Sequence, residues 1–484
     1  MNRRTFLLAA GAAPLFSAPT PPAPYGALPS PRQLRWQEME TYSFLHFTVN
    51  TFTDREWGNG DESESVFNPT DFDADAIVGA LKAGGMKGVI LTCKHHDGFC
   101  LWPTKTTDHS VAKSSWRGGK GDVVREISDA ARRQGLKFGV YVSPWDRNNA
   151  NYGRPEYVRI YREQLRELLT GYGPLFEVWH DGANGGTGYY GGANERRTID
   201  KTMYYGWPET WEMIRHLQPE AVIFSDIGPD LRWVGNEKGY ANETCWQTYD
   251  PVAKNGGPAS VGDVREKDSP TGTRNGSKWL PPECDVSIRP GWFWHAKEDD
   301  RVRTPAQLMD LYFQSVGRGG SLLLNVPPDR RGRLGENDVA SLKGFGERMR
   351  ATFSESLAKG AKATASNARP GFPAGNVLDG DGRTYWATDE AVKTAELEIR
   401  FPRETEFNVV RLREHIALGQ RVDAFAIDYS KVGVWASFGN GTSIGPCRLI
   451  CGGDPVRSDR IRVRITGAAA CPALQEVGVF LYRP

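Results

Sequence analysis

Lys87-Gly88-Val89-Ile90-Leu91-Thr92 reads as a short strand, and Lys94-His95-His96-Asp97 follow where that strand ends. An apolar run of this length, flanked by glycine, suits a strand buried on both faces. Residues 43–47, 137–142, 175–179, 221–225 and 321–326 repeat the pattern. Between them lie helical stretches. Residues 73–83 start at a candidate N-cap, Asp73, and stop at Gly84-Gly85. Residues 121–133 close on Gly135, and residues 155–169 open on proline. Residues 208–217, 304–315 (Thr304 before Pro305) and 336–353 follow. Residues 228–289 are rich in loops, and two further short strands are expected there, near Trp246 and Val286. About eight strand–helix units favour a closed parallel barrel over an open sheet.

The strand ends are unusually polar: His46; Lys94-His95-His96-Asp97; Trp145-Asp146-Arg147; Trp179-His180-Asp181-Gly182; Asp226. Side chains at the C-terminal ends of barrel strands share one face, where chemistry is done. Asp181 precedes Gly182-Ala183-Asn184-Gly185-Gly186, a loop with room for a ligand, and its carboxylate can attack an anomeric carbon. A retaining glycosidase needs a second carboxyl about 5–5.5 Å away. Asp226, Glu237 and Glu243 are candidates, and spacing does not choose among them. Glu237, beside Trp233, would have its pKa raised by an apolar pocket, which suits a general acid. The His95-His96 pair invites a metal reading. Adjacent strand residues point to opposite faces, however, and no matching ligand set stands out. Neutral histidines bonding sugar hydroxyls fit better. Gly291-Trp292-Phe293-Trp294-His295, before a charged run, is expected to be a loop forming a wall on which a sugar stacks.

The chain has 484 residues and a net charge of +1, so no basic excess points to nucleic acid or an anionic membrane. Seven cysteines without a CxxC pair argue against a disulfide framework or a zinc ribbon, although one late disulfide among Cys447, Cys451 and Cys471 is considered. Residues 1–24 carry a basic start, an apolar stretch and a Pro/Ala-rich exit. This pattern predicts a signal peptide, and Arg3-Arg4-Thr5-Phe6-Leu7 resembles a twin-arginine motif. An exported protein, periplasmic or secreted, with no membrane span is expected. Residues 25–353 are assigned to the barrel. Over residues 354–484 helical periodicity vanishes and short β-rich runs appear (395–401, 408–413, 424–429, 447–450, 460–465, 477–481), which predicts an all-β sandwich. The fold class is thus α/β, a (β/α)8 TIM-like barrel followed by a sandwich.

Several motifs carry a resemblance. His46, Glu56-Trp57, His95-His96-Asp97-Gly98-Phe99, Trp179-His180-Asp181-Gly182 and residues 318–328 (Arg-Gly-Gly-Ser-Leu-Leu-Leu-Asn-Val-Pro-Pro) resemble glycoside hydrolase family 29, the α-L-fucosidases, over about residues 32 to 353. The resemblance implies retaining, metal-free release of terminal α-L-fucose from an oligosaccharide or glycoconjugate. Asp181 matches the nucleophile, and His46, Trp57, His95, His96 and Trp179 match the fucose pocket. Residues 143–147, 232–237 and 292–295 resemble the subgroup preferring branched α-1,3/1,4-fucosides. There the acid/base matches Glu237, and Glu56, Trp145, Arg232, Trp292 and Trp294 join the substrate-binding set. Asn376-Val377-Leu378-Asp379-Gly380 and Thr384-Tyr385-Trp386-Ala387 resemble the coagulation factor 5/8 type C, galactose-binding-like sandwich. Such domains often hold a structural calcium and sometimes bind sugar; no other cofactor is expected. Alternatives are a broad or α-1,2 linkage preference, transfucosidation through the same intermediate, a metal-assisted hydrolase, and a non-catalytic fucose-binding barrel. The oligomeric state is left open.

Overall fold

The computed structural model describes residues 20–484. The barrel strands are β1 (Thr41–Leu45), β2 (Gly88–Lys94), β3 (Lys137–Val142) and β4 (Glu177–Trp179). After a surface hairpin of β5 (Gly185–Gly188) and β6 (Glu195–Thr198) come β7 (Val222–Phe224), β8 (Arg232–Trp233), β9 (Pro282–Ser287) and β10 (Ser321–Asn325). Eight of them form one sheet in the order β7-β4-β3-β2-β1-β10-β9-β8. Every pairing along it is parallel. A parallel bridge between Phe224 and Leu231 nearly closes the ring. The fold is therefore the TIM-like barrel expected.

Alternation along the strands explains the double burial. Phe138, Val140, Val142, Val178 and Ile223 face the helical layer. Phe44, Ile90, Tyr141, Trp179 and Phe224 fill the barrel interior. Helix starts follow local chemistry. The Asp73 carboxylate accepts the Ala76 N–H ahead of helix Ala74–Ala83, and Thr304 and Gln307 form a capping box at Pro305–Gln314.

The difficult stretch resolves differently from the expectation at one point. A strand does run through Val286, but none runs through Trp246. The missing strand is β8, whose two residues are too few to show any periodicity. The segment from 185 to 206, which reads as a long loop, holds the β5–β6 hairpin.

The C-terminal unit is an antiparallel sandwich of β11 (Lys362–Ala365), β12 (Trp386–Ala387), β13 (Ala395–Glu414), β14 (Val422–Lys431), β15 (Val434–Gly441), β16 (Arg448–Ala468) and β17 (Ala473–Phe480). The runs at 395–401 and 408–413 are one strand, β13, and those at 447–450 and 460–465 are one strand, β16. Register shifts at Arg400/Thr405 and Phe407/Val409 interrupt the pattern without ending the strand. All seven cysteines are unpaired thiols, so the late disulfide is absent. The expected leader falls outside the described residues up to residue 19. Ala23, still within that expected leader, is tied to the body through its carbonyl, which accepts from Arg421, and the Tyr25 N–H bonds the Leu418 carbonyl at 2.9 Å. No helix among the described residues is long and apolar enough to cross a membrane.

The sandwich packs under the N-terminal end of the barrel, opposite the polar strand ends. Arg413 of β13 joins Glu40, just before β1, and Glu476 of β17 (3.0 Å for the latter). Burial alone would raise the Glu40 pKa, but Arg413 and then Lys87 hold it down at about 2. Replacing Arg413 with Met should destabilise the folded chain by roughly 3 kcal/mol, because the Glu40 charge is left largely buried without its main partner. A depressed folded pKa stabilises above the ordinary 4.5 and is lost as pH falls toward 2. Denaturant unfolding should therefore show the gap between wild type and Arg413→Met closing across that window; a gap independent of pH would mean the ion pair is not its source.

Candidate active site

Strand ends place the polar residues on one face. Asp181 lies two residues beyond the last residue of β4, and both its oxygens are held. Oδ1 accepts the Ala183 N–H at 2.7 Å, a local turn, and Oδ2 accepts the Tyr141 hydroxyl at 3.1 Å. His96 Nε2 stands 3.9 Å from Oδ2. About a quarter of the side chain (27%) reaches solvent, so the carboxylate is fixed yet accessible.

One pocket of about 280 Å³ holds Asp181 together with Trp179, Phe224, Asp226, Trp233, Glu237 and Asp285. Its floor is the Trp179 ring stacked on Phe224, centroids 4.2 Å apart and 8° from parallel. Trp179 Nε1 donates to Glu283 at 2.6 Å inside the barrel, which fixes the indole plane. The Glu237 pKa is raised, first by burial and then by the charges of Asp181 and Glu56, while the Trp292 side chain opposes the shift.

The other acid candidates separate on geometry. Glu243 is exposed, 3.9 Å from Arg318, and is not part of the pocket. Asp226 lines the pocket, and burial pushes its pKa to about 7. Its Oδ2 is taken by the Gly262 N–H at 2.8 Å, and its Oδ1 is enclosed without a partner. Glu237 is exposed, and so keeps access to a leaving oxygen.

On the other side of Asp181 lies an aromatic and imidazole cluster. His46 Nδ1 meets Asn325 Oδ1 at 2.8 Å, and His96 Nδ1 meets the Ser143 hydroxyl at 2.7 Å. Burial lowers the pKa of all three histidines, His46 to about 3; for His96 the Asp181 charge resists the shift. They are neutral imidazoles near pH 7, each able to donate and accept. His95 Nδ1 has no partner among the described residues. Trp57, 57% exposed, stands edge-on to His96 and Trp145 at the rim. Trp145 lies behind it, buried and anchored by Nε1 to the Tyr190 hydroxyl at 2.9 Å. The Trp292 ring lies 5.1 Å from His46. Among the described residues no group of three His, Cys, Asp or Glu is arranged to hold a metal ion.

Three expected substrate contacts have partners within the protein. Arg232 points away from the pocket and is fully buried; its guanidinium donates to the carbonyls of Ser269 and Trp246, both at 2.9 Å, and of Leu280. A buried cation surrounded by carbonyls braces the 245–280 loop and is not free for a sugar. The Trp294 ring lies under the Arg289 guanidinium, 5.9 Å from its ring centre, itself paired with Asp338. Glu56 spends its carboxylate on the Trp292 and Phe293 N–H groups, at 2.8 and 3.2 Å, and on His295. Tyr141 and Glu283 are site residues that motif reading passed over, and Asn325 lies within the 318–328 motif without an assigned role there. Strand alternation was the available signal for Tyr141, which points inward between the outward-facing Val140 and Val142.

The family model described as Alpha-L-fucosidase matches residues 27–352, and that described as F5/8 type C domain matches residues 362–475. Alpha-L-fucosidase 1 of Arabidopsis thaliana is 42% identical over 467 residues, 95% of this chain and 88% of its own length. A glycoside hydrolase 29 family member from an unknown rumen bacterium superposes with a TM-score of 0.84 at 42% identity, covering 95% of this chain and 78% of that one. A Ruminococcus gnavus GH29 fucosidase, solved in complex with fucose, superposes with a TM-score of 0.86 at 32% identity, covering 97% of this chain and 98% of its own.

Proposed function

The chain belongs to the α-L-fucosidase family of glycoside hydrolases, and from that premise we propose a retaining exo-hydrolase that removes terminal α-1,3- or α-1,4-linked L-fucose from branched, fucosylated oligosaccharides or glycoconjugates. One observation carries the reading: Asp181 and Glu237, from the ends of different strands, line one pocket floored by stacked Trp179 and Phe224.

In the first step an Asp181 oxygen attacks the anomeric carbon, and the bond to the leaving oxygen breaks as Glu237 delivers its proton there. The product is a fucosyl ester on Asp181 with Glu237 ionised. Glu237 then takes a proton from water, the resulting hydroxide attacks the same carbon, and Asp181 leaves with its charge restored. Two inversions retain configuration. Neutral His46, His95 and His96 exchange hydrogen bonds with ring hydroxyls, and Trp57 covers the sugar. The chemistry needs no catalytic metal; a structural calcium belongs, if anywhere, to the sandwich. The N-terminal Arg-Arg stretch supports export by the twin-arginine route, to the periplasm or beyond. The linkage preference rests on the 143–147, 232–237 and 292–295 stretches.

Asp181→Ala should lower turnover on the order of a thousandfold or more, and azide should restore it with β-fucosyl azide as product. Turnover left intact would remove Asp181 from the nucleophile role. Glu237→Gln should spare a fucoside with a good aryl leaving group far more than a natural trisaccharide, because only the latter needs leaving-group protonation. The same change should abolish the fall in kcat/KM as pH rises, since that fall in the wild type reports ionisation of Glu237, whose pKa burial raises. If Asp226→Asn gives that pattern instead, the acid is Asp226. Full activity in EDTA is expected, and loss restored by a divalent ion would require a catalytic metal.

A further inference from the structure

Resting on the fucosidase reading, we infer that His295, clamped between Asp54 and Glu56, is a positioning residue whose charged form holds the Trp292–Phe293 wall against the pocket histidines, so that sugar affinity depends on that charge more than the chemical step does.

The geometry makes the case. His295 Nδ1 lies 2.6 Å from Asp54 Oδ1, and Nε2 lies 2.7 Å from Glu56 Oε1. Both ring nitrogens face carboxylate oxygens, and only the imidazolium donates from both. Removing a proton turns one of these bonds into a lone pair facing a negative oxygen. Glu56 is the hub: besides His295 it accepts the backbone N–H of Trp292 at 2.8 Å and of Phe293 at 3.2 Å. Those two residues form the wall. The Trp292 ring is 5.1 Å from His46, and the Phe293 ring is 5.1 Å from His95 and 5.5 Å from His46. Glu56 also precedes Trp57, so one carboxylate ties the rim tryptophan to the opposite wall.

The surrounding charges agree in sign. Burial alone lowers the His295 pKa, but Asp54 and Glu56 outweigh it and the net shift is upward. Asp54 is held low, first by its bond to His295, with Lys297 and Arg330 adding to the effect. Arg289 bonds the His295 carbonyl at 3.4 Å, and the Glu298 carboxylate takes the Gly291 N–H at 3.1 Å; neither touches the ring nitrogens. A raised folded pKa means that the latch is complete at acid pH and is lost as pH rises through that pKa.

Two variants and two readouts test this. His295→Gln keeps one donor at most. Losing a charge-assisted bond should raise KM for an aryl fucoside about tenfold at pH 6, with kcat within about threefold of wild type. KM should also lose its rise with pH. Asp54→Asn keeps the imidazole but removes one of its charges, so the pH at which KM rises should move down. Hydrogen exchange, corrected for intrinsic rates, reads the latch without substrate: protection of the Trp292 and Phe293 amides should fall about tenfold in His295→Gln. An Asp54→Asn profile identical to wild type, a kcat loss that matches any KM change, or unchanged amide protection would each overturn the inference. A wild-type protein that releases no fucose would instead defeat the fucosidase reading, and hydrogen exchange would still decide the latch.

Discussion

The account depends on one constraint: the Asp181 carboxylate is immobilised at both oxygens while one edge stays open. The Ala183 amide holds one oxygen through a local turn. Tyr141, an inward residue of the adjacent strand, holds the other. Because β3 and β4 are paired in register at Tyr141 and Trp179, the sheet itself sets the distance between donor and acceptor. An attacking group fixed this way meets little reorganisation cost in the transition state, which is where a preorganised site gains most.

Beneath that carboxylate the mainly apolar barrel interior encloses two acidic side chains. Glu177 and Glu283 face each other there. Glu177 accepts the Trp36 indole at 3.0 Å, and Glu283 accepts Trp179 and the Tyr42 hydroxyl. Burial and the neighbouring Glu283 charge raise the Glu177 pKa, and burial raises that of Glu283. The Glu283 bond holds the plane of the Trp179 indole at the pocket floor. Strain-free apolar packing would bury Trp179 equally well but would leave its N–H without a partner.

Much of this was legible in the sequence, and the reasons are specific. The strand through Val89 to Thr92 shows itself because both faces are buried, and Asp181 because an apolar strand ends there against a glycine-rich loop. The sandwich announced itself by the loss of helical periodicity. What stayed hidden depends on long-range partners. Arg232 sits in a motif with Trp233, yet the two side chains diverge, one into backbone carbonyls and the other to Asp285 at 2.7 Å. Trp292 and Trp294 look equivalent in the chain, but only the first is caught by Glu56, 236 residues away. Glu56 enters only through the family resemblance, and nothing local in the sequence shows that backbone amides of a distant loop bond its carboxylate.

The central claim, that Asp181 forms the covalent bond to fucose, is tested most directly by trapping that bond. A 2-fluoro-fucosyl fluoride slows both steps but the second more, so the ester should accumulate. Digestion and mass spectrometry should then find one 2-fluoro-fucosyl group on the peptide containing Asp181. A label on the peptide of Asp226 or Glu237, or turnover with inverted configuration and no label, would contradict the account.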